Sequence, residues 1–145
     1  MKMIYRAAAA AFAMAAPLPA VAAAIPAVMY KNPSCSCCEA YAAYLEKNGF
    51  KVEIIPSNDL AAVSTSLGVP DKIQGCHSVK IGSYVVEGFV PVDMINKMLD
   101  EKPKITGIAV IGMPPGSPVS MGQKTEPYKI YSILTNGETN VYAVE

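Results

Sequence analysis

Arginine is almost absent from this chain of 145 residues, since Arg6 is the only one. Arginine is the side chain that best recognises phosphate and carboxylate groups, because its planar head pairs with them through two parallel hydrogen bonds. The lysines that make up the rest of the basic residues form no run. A protein without arginine or a basic cluster lacks the usual electrostatic footprint of nucleic-acid binding. The sequence therefore predicts no nucleic-acid partner.

Long apolar runs are also missing beyond the first 24 residues. Those residues are typical of a secretory signal peptide: Lys2 and Arg6 precede an apolar run at 7–16, and small residues follow at 20–24. A membrane anchor is the alternative, but the run is shorter than the roughly 20 residues that span a bilayer and is followed by two prolines. We therefore predict that residues 1–24 are cleaved and that the mature protein has no membrane segment. In a bacterium the exported product would be periplasmic.

The remaining residues, 25–145, are enough for one compact domain with its own core. Removal of Lys2 and Arg6 leaves 10 basic residues against 12 acidic ones, so the net charge of the mature chain is −2. This part of the sequence contains no repeat, linker or low-complexity segment. We therefore predict a single domain over residues 25–145.

The first half of this domain has the pattern of a parallel α/β unit. Short apolar or alternating runs predict strands, and apolar residues at spacings of three and four predict helices. The predicted elements are a strand at 27–31, a helix at 37–48, a strand at 51–55 and a helix at 58–67. Glycine or proline follows each helix, as expected where a helix ends.

The second half of the domain has a different pattern, with hairpins. Strands at 79–81 and 84–86 flank Gly82-Ser83, a turn typical of a hairpin, and a helix begins at Pro91. An apolar segment predicted to be buried, 108–111, precedes a loop rich in glycine and proline. A second hairpin, at 128–134 and 140–144, surrounds Asn136-Gly137. The predicted fold class is α/β: a thioredoxin-like βαβ unit followed by a β-hairpin and helix, with a C-terminal β-hairpin extension.

Cysteine is rare, and its four copies occur at two places. Cys35, Cys37 and Cys38 lie at the junction of the first strand and helix, and Cys76 stands beside His77, the only histidine. Ligands gather at such junctions in α/β layers, and the helix dipole there stabilises thiolate over thiol. A thioredoxin-like arrangement would pack the loop that carries Cys76 beside the start of this helix. We therefore expect the four thiols to form one site.

Three chemistries suit such a set of cysteines. Cys35 and Cys38 have the Cys-x-x-Cys spacing of dithiol-disulfide exchange proteins, although Cys37 between them would form competing mixed disulfides. A soft metal would use all four thiols: adjacent cysteines do not easily chelate one tetrahedral ion, but they can bridge several ions, and thiolates select Cu(I). Two structural disulfides are the third option, natural in an exported domain. Three cysteines within four residues are a poor layout for that purpose, because short loops gain little constraint.

Other side chains could complete a metal site. His77 could add an imidazole, although a local hydrogen bond is an equal alternative. Met113 and Met121 lie in or after the proline-rich loop, where burial is not forced, and either thioether could act as an outer copper ligand or as part of a lid. The methionines at core-facing strand and helix positions are assigned to packing: Met29, Met94 and Met98.

Five segments together resemble the CopG-type periplasmic copper-resistance proteins, a family long catalogued only as a domain of unknown function. They are 32–38, Gly68-Val69-Pro70, Gly75-Cys76-His77, 84–91 and 112–118. The resemblance covers essentially the whole mature chain. The joint occurrence of Cys-x-Cys-Cys, Cys-His and the Gly-Met-Pro loop is far more specific than any one of them. The resemblance implies a thioredoxin-like fold, export, and Cu(I) bound by the four cysteines.

Two departures from the family pattern stand out. The family usually has a histidine where this chain has Phe89, so any role of that histidine in metal binding or proton transfer is absent here. The family loop usually continues Gly-Ser-Pro-Gly-Met, whereas Val119 and Ser120 separate Pro118 from Met121 here, so Met121 does not fall at the position of the family methionine. The ligand role transfers directly only to the four cysteines.

The leading hypothesis from the sequence is an exported protein that sequesters Cu(I) or hands it on, through a four-thiolate and multinuclear cluster, in copper resistance or homeostasis. Its expected partners are copper ions and other periplasmic copper-handling proteins. The rival hypothesis is a periplasmic thiol-disulfide oxidoreductase that uses Cys35 and Cys38. Whether a catalytic redox step occurs is left open, so the sequence does not class the protein as an enzyme.

Overall fold

The computed structural model describes residues 22–145. Its elements, in chain order, are β1 (Ile25–Lys31), α1 (Ser36–Lys47), β2 (Phe50–Pro56), α2 (Leu60–Ser66), β3 (His77–Ile81), β4 (Tyr84–Glu87), α3 (Val92–Glu101), β5 (Gly107–Ala109), β6 (Lys129–Ile133) and β7 (Thr139–Val144). A turn of 3-10 helix at Asp71–Ile73 precedes β3. The predicted signal peptide falls on residues 1–24, of which 1–21 lie outside the described residues, so its cleavage stays a prediction.

One seven-stranded sheet with the order β2-β1-β3-β4-β5-β6-β7 organises the chain. β1 is parallel to β2 and antiparallel to β3, and β3 and β4 form a hairpin. β5 is parallel to β4, and the C-terminal hairpin of β6 and β7 extends the same sheet from β5. The predicted α/β class, with its βαβ unit, hairpin, helix and C-terminal hairpin, is confirmed. Within residues 22–145 no helix combines the length and apolar character needed to cross a bilayer.

The main core lies between the sheet and the helices α1 and α3. Tyr41 and Leu45 of α1 are fully buried, as the spacing of apolar residues in that helix predicted. Met29 and Met98 are also fully buried, and Met94 is partly buried against the same core, so all three pack as expected. Apolar burial of this kind is the main stabilising contribution in a domain of this size.

The start of α1 is defined by a cysteine. The backbone N–H of Cys38 donates to Cys35 Sγ at 3.2 Å, so the Cys35 side chain caps one of the free amides of the first turn. At the other end, Gly49 adopts a left-handed φ of +93°, which lets the chain leave the helix without a Cβ clash. The first predicted helix therefore begins within two residues of all three of its cysteines.

One burial prediction is wrong. The apolar segment 108–111 was expected to be buried throughout, but Ile111 is 49% exposed. Sheet pairing between β4 and β5 ends with the bond from the Val110 N–H to the carbonyl of Glu87. Gly88 then turns the chain away from β5 with a left-handed φ of +70°. Ile111 consequently has no strand beside it, and its side chain lies at the surface.

Candidate functional site

The sheet brings the two cysteine-bearing loops together. β1 and β3 are antiparallel neighbours, and their register pairs Lys31 with His77. The residues that follow β1 therefore lie beside those that precede β3, and the Asn32 N–H donates to the carbonyl of Cys76 at 3.0 Å. This hydrogen bond joins the loop before α1 to the loop before β3.

The four sulfur atoms form one compact group, all within 4.8 Å of one another. Cys35 and Cys38 are joined by a disulfide, whereas Cys37 and Cys76 are free. Cys37 Sγ lies 3.2 Å from Cys35 Sγ, and Cys76 Sγ lies 3.3 Å from Cys38 Sγ. Each free thiol thus contacts one sulfur of the disulfide. The alternative of two structural disulfides is wrong for this structure, which has one.

Burial governs the acidity of the fourth thiol. Cys38 is fully buried, and the other three cysteines are partly buried. Burial, and after it the nearby Cys37, raises the pKa of Cys76 to about 11. Cys76 is therefore a neutral thiol at neutral pH in the metal-free protein. A metal that binds there must displace the thiol proton.

A buried lysine holds the loop that carries the first three cysteines. The Nζ of Lys31 lies within hydrogen-bond distance of three backbone carbonyl oxygens, those of Asn32 and Pro33 at 3.2 Å and that of Cys35 at 3.3 Å. It also pairs with the carboxylate of Glu39 at 3.3 Å. The role of Lys31 was not predicted from the sequence. The available signal was a lysine on the same strand face as the apolar residues Ala27 and Met29.

A buried carboxylate holds the other loop. Glu87 is fully buried, and its Oε1 accepts from the Gly75 N–H at 2.6 Å. Its Oε2 accepts from the Ser78 hydroxyl at 2.5 Å, which in turn contacts the Ser64 hydroxyl at 2.8 Å. Burial raises the pKa of Glu87 to about 7. This network fixes the backbone directly before Cys76, and sequence reasoning did not identify it, because its members come from four separate segments.

The geometry of His77 leaves one ring nitrogen available. The ring is fully buried, and this burial lowers the pKa of His77 to about 4, so the imidazole is neutral at neutral pH. Its Nε2 lies 3.1 Å from the carbonyl oxygen of Gly88, which can only accept, so Nε2 carries the proton. The lone pair therefore resides on Nδ1, 3.7 Å from Cys76 Sγ. That nitrogen can accept a hydrogen bond from the thiol or coordinate a metal.

The two candidate methionines differ in position. Met113 lines a cavity of about 300 Å³ together with Cys37 and Cys76. Met121 has a fully exposed side chain and is not among the residues that line this cavity. Phe89, which replaces the histidine of the family pattern, also lines the cavity. Its ring packs edge-on against the ring of His77, with 4.9 Å between the two ring centroids.

Known proteins resemble this chain in sequence and in structure. Residues 73–119 match the family model described as "Protein of unknown function, DUF411". Two solved structures, described as copper resistance protein CopG, forms 1 and 2, resemble the chain with a TM-score of 0.76 and identities of 36% and 35%. Each comparison covers 84% of this chain and 98% of the other. This chain belongs to the CopG family.

CopG membership confirms the family resemblance seen in the sequence. The segment that matches the family model contains Cys76 and His77 as well as the buried anchor Glu87. The comparison with the CopG structures extends over most of the chain. No protein with a curated description matches the chain.

Proposed function

We propose that this CopG-family protein binds Cu(I) through the thiolates of Cys35, Cys37, Cys38 and Cys76, and thereby sequesters copper or hands it on in copper resistance. The observation that carries the proposal is the convergence of four sulfur atoms within 4.8 Å. The family relationship to proteins named for copper resistance supports copper as the metal.

The donor set suits Cu(I) better than a hard or borderline ion. Four thiolates are soft ligands, of the kind that binds Cu(I), zinc and iron–sulfur clusters. Cys37 and Cys38 are adjacent in the chain, an arrangement that disfavours a single tetrahedral zinc ion and allows sulfur to bridge several copper ions. We therefore infer a multinuclear, thiolate-bridged cluster. His77 Nδ1 and the Met113 thioether are proposed as additional donors, whereas Met121 would require movement of its loop.

The redox state of the cysteines sets the copper capacity. With the disulfide between Cys35 and Cys38 present, only Cys37 and Cys76 can become thiolates. Its reduction consumes two electrons and two protons and provides the other two thiols. The four-thiolate site therefore exists only in the reduced protein.

Export is part of the proposal. The charged start, apolar run and small residues of segment 1–24 support cleavage and delivery of one domain, 25–145, to the periplasm. Copper ions and other periplasmic copper-handling proteins are the proposed partners, without nucleic acid or membrane. N-terminal sequencing of the secreted protein tests this point, and a mature start far from Ile25 would contradict it.

A second candidate function rests on the disulfide. Cys35 and Cys38 form the linkage expected of a thiol-disulfide oxidoreductase, and Cys35 is partly exposed at the start of α1. In that function a substrate thiol would exchange with the Cys35–Cys38 disulfide. Metal-free protein should then reduce or oxidise a model disulfide faster than its Cys35→Ser variant. Equal rates would eliminate the candidate.

Anaerobic titration of the two redox forms with Cu(I) tests the main proposal. Reduced protein should hold more than one Cu(I) per chain in the presence of a competing chelator, and protein that retains the disulfide should hold less. Metal analysis after desalting gives the stoichiometry. Less than one tightly bound Cu(I) per reduced chain would overturn the proposal.

A further inference from the structure

The cavity of about 300 Å³ opens directly on the two free thiols. Cys37 and Cys76 line one part of it, and Ile111 and Met113 line another. The thiols that contact this space are therefore the ones that remain available when Cys35 and Cys38 are linked. A ligand in the cavity would lie beside the sulfur group rather than at a remote surface.

Apolar side chains dominate the walls of this cavity. Ile73, Phe89 and Val110 are buried and contribute to its interior. Ile111 and Met113 are 49% and 37% exposed, so two large apolar side chains remain partly in water beside the cavity. Lys72 is the one charged side chain among the described residues that line it. Such an apolar surface gains free energy when an apolar group covers it.

We propose that this cavity receives a methionine side chain of a partner protein that delivers Cu(I) to Cys37 and Cys76. This inference rests on the proposed function. A thioether is apolar enough to enter a cavity with these walls and soft enough to carry Cu(I). A carboxylate or a hydrated ion is neither apolar nor a soft ligand.

Transfer of the ion is a ligand exchange without oxidation or reduction. The bond between Cu(I) and the partner's thioether breaks as bonds to the thiolates of Cys37 and Cys76 form. The two thiol protons leave to solvent. Thiolate is the stronger ligand, so the exchange proceeds towards the cysteine group.

Two substitutions of exposed apolar residues provide a matched test. Ile111→Ser removes apolar surface at the cavity, and Val141→Ser removes it at a similarly exposed position on β7, where Val141 is 52% exposed. Reduced, metal-free protein is titrated with a short peptide that carries one methionine between glycine and serine residues, and with the same peptide carrying serine instead. Backbone amide shifts should change around residues 73–76, 88–89 and 110–113 with the methionine peptide alone. Ile111→Ser should weaken its binding about five-fold, and Val141→Ser should leave it unchanged.

A transfer experiment then separates this inference from the proposed function. The donors are the methionine peptide loaded with Cu(I) and Cu(I) in acetonitrile. Ile111→Ser should slow transfer from the peptide and not from acetonitrile, with the same final stoichiometry. If copper binds from acetonitrile but the peptide does not dock, or if both variants behave alike, the inference is wrong and the proposed function stands. If the peptide docks but the protein takes no copper from either donor, the proposed function fails, and delivery of copper fails with it.

Discussion

A buried basic residue holds one cysteine-bearing loop, and a buried acidic residue holds the other. The loop before α1 contains carbonyl oxygens that face inwards, and the ammonium of Lys31 donates to three of them. The loop before β3 directs the Gly75 N–H inwards, and the carboxylate of Glu87 accepts from it. In each case the buried side chain supplies the donor or acceptor that the loop backbone needs. Hydrogen bonds to the backbone of both loops therefore position the cysteines, in addition to the contacts between sulfur atoms.

Both anchors are buried, but the groups around them differ in exposure. The hydroxyl partners of Glu87, Ser78 and Ser64, are fully buried with it, whereas Gly75 itself is exposed. The loop held by Lys31 is mostly exposed at Asn32, Pro33 and Ser34, so water can replace the lysine there. Loss of the carboxylate should therefore disturb its loop more than loss of the ammonium disturbs the other.

Removal of a cysteine from either loop should have the largest effect. Cys38→Ser and Cys76→Ser should each lower the Cu(I) stoichiometry of the reduced protein, because bridging needs thiolates from both loops. Ser36→Ala, an exposed position between the cysteines, is the control and should bind as the unaltered protein does. Unchanged stoichiometry in Cys76→Ser would confine the site to the first loop.

The pH dependence of stability should reveal the buried carboxyl group. The folded pKa of Glu87 is about 7 and its ordinary value is 4.5, so its contribution to the free energy of unfolding falls as pH rises between them. The folded pKa of His77 is about 4 and its ordinary value is 6.5, so its contribution rises with pH. The two contributions oppose each other between pH 4.5 and 6.5.

Glu87→Gln should remove the contribution of Glu87 to the pH dependence of the free energy of unfolding. The difference in free energy of unfolding between the variant and the unaltered metal-free protein should change by about 3 kcal/mol between pH 4.5 and 7, in favour of the variant at the higher pH. Urea unfolding at both pH values gives the quantity. Parallel pH profiles for the two proteins would show that Glu87 titrates normally.

Loss of the Glu87 hydrogen bonds should release the second loop. Glu87→Leu leaves the Gly75 N–H and the Ser78 hydroxyl without their acceptor, at a cost of about 2 kcal/mol at pH 4.5, where the carboxyl group is protonated in the folded protein. Cys76 of the metal-free protein should then be alkylated faster relative to Cys37, as mass spectrometry of each cysteine would show. Glu87→Gln keeps an acceptor for Gly75 and should restore the slow rate. A relative rate that is unchanged in Glu87→Leu would contradict an anchoring role.

The first loop should respond more weakly to loss of its anchor. Lys31→Met should lower the free energy of unfolding by about 1 kcal/mol, because the freed carbonyl oxygens can be hydrated. Glu39→Gln, which removes only the ion pair with Lys31, should cost less than about 0.5 kcal/mol because Glu39 is largely exposed. Denaturant unfolding measures both. If Lys31→Met lowered the free energy of unfolding more than Glu87→Leu does, the first loop would depend on its anchor more than the second loop.

Most of the secondary structure was predictable because its signals are local. Apolar periodicity identified α1, and Asn136-Gly137 identified the C-terminal hairpin, in which β6 and β7 pair. The sequence also indicated that Cys76 would lie near the other cysteines, because a thioredoxin-like arrangement packs the loop before β3 beside the start of α1. Exposure of Ile111 was not predictable from its apolar neighbours, because it depends on where β4 turns away from β5.

The sequence by itself therefore determined the α/β class, the order of elements, the family and the four candidate thiols, because each is encoded in residue type and short-range spacing. Only the tertiary structure decided that Cys35 pairs with Cys38, that Lys31 and Glu87 hold the two loops, and that a cavity opens on Cys37 and Cys76. These features depend on which way a side chain such as Lys31 turns, and on the distances between groups that are far apart in the chain or compete for the same partner. Spacing along the sequence does not specify such distances.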